Sequence, residues 1–99
     1  MRASDCKDIV RLHGECDLYS AAGFLSEARV LMDKGVRTML VDCSDLIYLD
    51  STGVGAIVRI LQQMKSLGGS VFFRSIKGPP RKVLELCNVI MLLREVPED

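Results

Sequence analysis

The stretch Asp50-Ser51-Thr52-Gly53-Val54-Gly55 sets two hydroxyls between a carboxylate and a glycine. A strand-like run, Thr38–Val41, lies upstream, and a strongly periodic segment follows, so the hydroxyl pair sits where a loop becomes a helix. A helix start leaves backbone N–H groups unpaired and carries partial positive charge. Two roles suit a Ser or Thr in that place. Its hydroxyl can cap the helix. Alternatively it can carry a phosphate, which the helix start stabilises and whose charge changes what can dock there.

Other chemistries find little support. Gly53-x-Gly55 has neither the Lys of a phosphate loop nor the third glycine of a dinucleotide loop. A serine hydrolase needs a base, and the single histidine, His13, lies near the end of a strand-like run. Asp17 and Asp50 form a conceivable acid/base pair or cation site, but no further ligands are assured, and a solvated rim is the simpler reading. Cys6, Cys16, Cys43 and Cys87 are widely spaced with no C-x-x-C pair, which argues against zinc. Cys43 and Cys87 read as small buried hydrophobes. Thirteen basic and thirteen acidic residues cancel, so the basic footprint of a nucleic-acid binder is missing. Ninety-nine residues suit one domain with one core, spanning 1–99. No apolar run approaches the ~20 residues of a membrane span. Met1–Cys6 has no apolar h-region, so the cytoplasm is the expected compartment.

The elements that must hold these residues alternate. Ile9–Leu12 reads as a strand stopped by Gly14, with Met1–Cys6 as a possible edge strand paired to it through a turn at Lys7-Asp8. Ser20 can cap a helix running to about Lys34, with Ala21, Leu25, Ala28 and Met32 on its buried face and Gly35 just past its end. Thr38–Val41 reads as a central strand, and Asp42–Asp50 as a loop. Thr52–Leu67 is a helix, with Val54, Ile57, Val58, Leu61, Met64 and Leu67 apolar and Gly68-Gly69 ending it. Val71–Phe73 is a further strand. Pro79 or Pro80 opens a third helix whose apolar residues are Val83, Leu84, Leu86 and Cys87. The run from Ile90 to Val96 is apolar but ambiguous. The expectation is a single α/β domain: a mostly parallel mixed sheet of about four strands, flanked by three or four helices. Functional residues of such sheets gather beyond the carboxyl ends of the strands. Here that edge collects Glu15, Asp17, Asp42, Asp45 and Asp50, an acidic rim around the hydroxyl pair.

Four segments in this order resemble the anti-sigma factor antagonists, a bacterial branch of the STAS domain family. They are Gly14-Glu15-Cys16-Asp17, Leu49-Asp50-Ser51-Thr52-Gly53-Val54-Gly55, Leu67-Gly68-Gly69 and Arg81–Leu86, within a resemblance over about 9–94. Val54 stands where Leu is common, and Cys87-Asn88 where Thr or Ser followed by Gly is frequent.

The resemblance implies the STAS fold and a non-enzymatic regulatory role without a cofactor. It implies that Ser51, directly after the aspartate, is phosphorylated by an anti-sigma factor that is itself a serine kinase, with Thr52 the second candidate. The unphosphorylated form would bind that kinase and free the sigma factor. The phosphorylated form would let go, and a metal-dependent serine phosphatase would reset it. Asp17 matches the family aspartate beside the site. Leu18, Tyr19, Asp50, Thr52, Gly53 and Val54 are the further candidates for partner contact. An alternative from the same family is a docking subunit of a transporter or stress-sensing complex with no kinase switch.

Overall fold

The structure is a computed structural model describing residues 6–97. Strands and helices alternate: β1 (Ile9–Cys16), α1 (Ala21–Asp33), β2 (Thr38–Leu49), α2 (Ser51–Ser66), β3 (Ser70–Arg74), α3 (Gly78–Leu86) and a short β4 (Arg94–Glu95), with a 3-10 turn over Ile90–Leu92 before β4. The strands pair in the order β1-β2-β3-β4, every pair parallel. The expected edge strand over Met1–Cys6 falls on residues outside those described, Cys6 excepted.

Because sheet order follows chain order, each right-handed crossover steps the same way and lays its helix on the same face. The core agrees. Phe24 and Ala28 of α1, Ile57 and Ile60 of α2 and Leu84 of α3 share one buried cluster with Val10, Met39, Val41, Val71 and Phe73. The intervening strand residue Leu40 points to the other face, where it packs with Cys6 and Val96.

The helices stop by a common device. Past each C-cap, a residue at positive φ (Gly35 at 90°, Gly68 at 75°, Asn88 at 58°) donates to the carbonyl three residues back, and its successor to the one five back. This is the Schellman arrangement. Asn88 can stand in the glycine position because asparagine tolerates the left-handed region.

Two strands run further than the sequence suggested. Gly14 does not stop β1. Its φ of 64° accommodates one of two register shifts in the β1–β2 pairing, and the strand continues to Cys16. The segment Asp42–Leu49, read as a loop because of its polar residues, is strand too. Asp42 is 5% exposed there. Its register partners on both sides are arginines, Arg11 and Arg74. Arg74 Nη2 donates to Asp42 Oδ2 at 3.0 Å, while the more exposed Arg11 Nε stands 3.6 Å away. Burial alone would raise the Asp42 carboxyl, but the hydrogen bonds from Arg74 and from Ser44 outweigh it and bring it to about 2. A carboxylate can therefore occupy a central strand when both neighbours answer it in register. Asp42 is thereby withdrawn from the predicted acidic rim.

Side-chain placement departs in smaller ways. Phe24 takes the buried position beside Ala28, and Leu25 is only partly covered. Leu86 and Cys87 are exposed, because α3 buries only Pro80 and Leu84, and Leu67 is exposed at the C-cap of α2.

The Asp42 ladder makes a pH-dependent contribution of definite sign. Its carboxyl binds protons more weakly in the folded chain than the ordinary value near 3.9, so the contribution is complete above that value and is lost as pH falls through about 2. Asp42→Asn should lower the unfolding free energy by about 2 kcal/mol at pH 7. In urea titrations the gap between wild type and variant should close between pH 4 and pH 2, and a gap independent of pH would refute the ladder.

Candidate functional site

β3 pairs with β2 only as far as Asp42–Arg74. Beyond that point β2 keeps β1 alone as its neighbour, and the two strands end together at the pair Cys16–Leu49. Two short connections leave this shared end: Asp17–Ser20 into α1, and Asp50 into α2. These connections and the first turn of α2 hold the eight candidates for phosphorylation and partner contact.

Asp50 joins the two. Its N–H continues the ladder onto the Cys16 carbonyl at 3.2 Å. Its carboxylate accepts from the Gly53 N–H at 3.0 Å, and its carbonyl takes the Val54 N–H at 2.9 Å. Asp50 is therefore the N-cap of α2. The capping role weighed for Ser51 and Thr52 is taken by the residue before them, and both lie inside the first turn, exposed.

Gly53 is what allows α2 to begin there. A Cβ on it would collide with the Cys16 carbonyl oxygen and come within 2.6 Å of Leu49 Cδ1 and 3.0 Å of Cys16 Sγ. The helix start thus rests on the backbone of β1. Val54, 7% exposed, belongs to the core. Gly53 and Val54 can shape a contact from beneath but do not form its surface.

On the β1 side, Asp17 organises its own loop. Its Oδ1 accepts from the backbone N–H groups of Tyr19 at 3.0 Å and Ser20 at 3.1 Å. The Ser20 hydroxyl donates to the Glu15 carbonyl at 2.6 Å and accepts from the Asp17 N–H at 3.0 Å. Ser20 stands at the N-cap position of α1 but makes no side-chain cap bond, because its hydroxyl is committed to β1 and the loop. The Ser20 N–H, with that of Tyr19, holds the Asp17 carboxyl below its ordinary range. Braced in this way, the loop displays Leu18 and Tyr19, which is 89% exposed.

Cys16 lies under both connections. Burial first, then the charges of Asp50 and Asp17, push its thiol up to about 11, so it stays protonated at neutral pH. Burial likewise pushes Cys43 to about 12. Cys43 sits within β2, in the stretch read as a loop, and all four cysteines are free.

The structure brings Asp17, Leu18, Tyr19, Asp50, Ser51 and Thr52 to one edge of the sheet. It adds two residues that sequence reasoning missed. Ile47 and Tyr48, on the projecting part of β2, are 66% and 48% exposed. A signal was available: Leu46-Ile47-Tyr48-Leu49 is a continuous apolar run, more than one buried strand face can absorb beyond the last β3 pairing. Among the described residues no cluster of His, Cys, Asp and Glu could hold a metal ion, and no helix is long and apolar enough to cross a membrane.

Comparison with known proteins agrees with this architecture. The family model of the STAS domain matches residues 4–96. The anti-sigma-B factor antagonist of Bacillus subtilis is 34% identical over 62 residues, covering 63% of this chain and 56% of that protein, so the match spans little more than half of the relative's length. BtrV of Bordetella bronchiseptica is 24% identical over 85% of this chain and 72% of its own. Among solved structures, TM1081 of Thermotoga maritima superposes with a TM-score of 0.80 at 26% identity, covering 95% of this chain and 82% of that one. The anti-sigma factor antagonist SpoIIAA in its unphosphorylated form gives 0.75 at 19% identity, covering 89% and 77%, a likeness of fold.

The contact beneath α2 is directly testable. Gly53→Ala should lower stability by about 2 kcal/mol, a typical cost of overpacking against a neighbour that cannot move. The Cys16 carbonyl is such a neighbour, being already tied to Asp50. Urea denaturation reads the change, and an unchanged midpoint would show that α2 does not rest on β1.

Proposed function

The chain belongs to the STAS domain family, and from that premise we propose that it is an anti-sigma factor antagonist controlled by phosphorylation of Ser51. Unphosphorylated, it binds a serine-kinase anti-sigma factor in the cytoplasm and so frees a sigma factor. Phosphorylated, it lets go, and a metal-dependent serine phosphatase restores it. The relative from Bacillus subtilis bears the name of an anti-sigma factor antagonist, and SpoIIAA has been solved in both unphosphorylated and phosphorylated forms.

The observation that carries the reading is the division of labour at the start of α2. Asp50 supplies the cap, so the neighbouring Ser51 hydroxyl is exposed and uncommitted. A kinase brings its own metal and base and needs from its substrate a hydroxyl presented at a fixed place. Ser51 meets that need without refolding, because Gly53 holds the first turn against β1. Thr52 is exposed as well, and the preference for Ser51 rests on its position directly after Asp50 in the family pattern.

The switch is energetically modest. A phosphate adds roughly −2 charge beside Asp50 and the ionised Asp17. A tenfold loss of affinity needs only ~1.4 kcal/mol of differential binding. Two further negative charges would oppose a partner whose surface complements this acidic edge.

Purified protein incubated with lysate of the source organism, Mg²⁺ and ATP should gain phosphate at Ser51, mapped by mass spectrometry, and Ser51→Ala should gain none. Ser51→Ala should bind the anti-sigma factor at least as tightly as wild type, and Ser51→Asp at least tenfold more weakly. Equal affinity of all three would sink the switch. Absence of phosphate with a kinase active on another substrate would favour the docking-subunit alternative.

A further inference from the structure

β4 is a strand of two residues and pairs with β3 at Phe72 and Phe73 alone. Ser70 and Val71, at the start of β3, therefore have no register partner on that side of the sheet. Between this bare stretch of edge and the later turns of α2 lies a groove of about 380 Å³, within the roughly 300–1,000 Å³ of small-molecule sites. Its walls are apolar: Val58, Leu61 and Met64 of α2, Val71 of β3, and Leu92 of the 3-10 turn. Leu92 is 59% exposed, an apolar wall with nothing of this chain laid against its outer side.

The polar groups of the groove are one-sided in charge. Lys65 and Arg94 line it, with Gln62 and Ser70, and no carboxylate does. Neither cation has an ion-pair partner among the described residues. Arg94 Nη1 reaches a neutral group, the Ser70 hydroxyl, at 3.5 Å. The carboxylate nearest in sequence, Glu95, is held by the Arg81 fork at 2.8 and 3.2 Å. We infer that this groove binds a free aliphatic carboxylate, its chain against the apolar walls and its head group between Lys65 and Arg94. The walls alone would suit any alkyl chain, but two unanswered cations select an anion. A guanidinium fork matches a carboxylate through two parallel hydrogen bonds. A recess between a helix and a sheet edge takes a single chain, whereas a lipid surface would need a flat apolar face. Val58 stands two turns beyond Ser51, and Lys65 about 20 Å along the axis from it at 1.5 Å per residue. The site is thus separate from the hydroxyl pair and does not depend on the phosphorylation reading.

Calorimetric titration of the purified full chain with decanoate should show one ligand per chain, with decanol and decylamine each at least tenfold weaker. Arg94→Gln and Leu92→Asp should each bind decanoate at least tenfold more weakly. Both should melt as the wild type does, because the two side chains are exposed. Absence of decanoate binding would overturn the inference. So would decanol bound as tightly as decanoate, or decanoate affinities within twofold of wild type in both variants. Self-association of the wild type that Leu92→Asp abolishes would assign the groove to a second copy and overturn it as well.

Discussion

One contact sets the geometry of the whole functional edge: the first turn of α2 lies directly on the last carbonyl of β1. The Cys16 carbonyl accepts the Asp50 N–H, and the space beside it is filled by Gly53 Cα with no room for a side chain. Asp50 then turns its carboxylate back onto the Gly53 N–H. β1, β2 and α2 are thus fastened at a single point, and the Asp17 loop leaves from that same point. A hydroxyl one residue further along is displayed on rigid backbone, which suits a group that another protein must find in one orientation. The cost falls on sequence freedom: only glycine fits at 53.

The cap assignment shows how closely chemistry and function compete here. Asp, Ser and Thr all make good N-caps, and three of them stand in a row. Had Ser51 been the cap, its oxygen would be turned onto a backbone N–H and shielded. Starting the helix one residue earlier gives that task to Asp50 and leaves both hydroxyls in the first turn. The sequence narrows the choice without deciding it, because the deciding factor is the Asp50–Cys16 bond, which brings together residues far apart in the chain.

What was readable, and what was not, follows the same division between local and distant causes. The periodicity of α2 and the glycines at 35 and 68 report local backbone preference, and those boundaries emerge within a residue or two. Asp42 and Gly14 mislead because their strand roles depend on partners elsewhere. Asp42 is acceptable in a buried strand only between Arg11 and Arg74, which lie 31 and 32 residues away in sequence. Gly14 reads as a stop until β2 continues beside it and turns it into a bulge. The overreading of the acidic rim is the same error seen from the site: Asp42 has the right composition for a rim and the wrong neighbours. The sequence marks Asp17 and Asp50 as candidates for the site, but not as the hydrogen-bond acceptors that build the two connections.

Those structural duties bear on how a phosphate at Ser51 would act. At the start of α2 the dipole and the N–H groups of Ser51 and Thr52, which the Asp50 cap leaves aside, favour negative charge. Within the chain a phosphate therefore finds a tolerable setting, and neither the Asp50 cap nor the Gly53 contact has to break. In a complex of the proposed kind the penalty would fall across the interface instead. A partner surface that complements the existing carboxylates must desolvate and accommodate further charge, and bulk, at the first turn of the helix. Stability of the free protein and affinity for the partner are thereby separated: the modification can act on binding without unfolding the domain that carries it. A switch of the proposed kind, reset repeatedly, would require that separation, and a hydroxyl placed after the cap, rather than on it, would allow it.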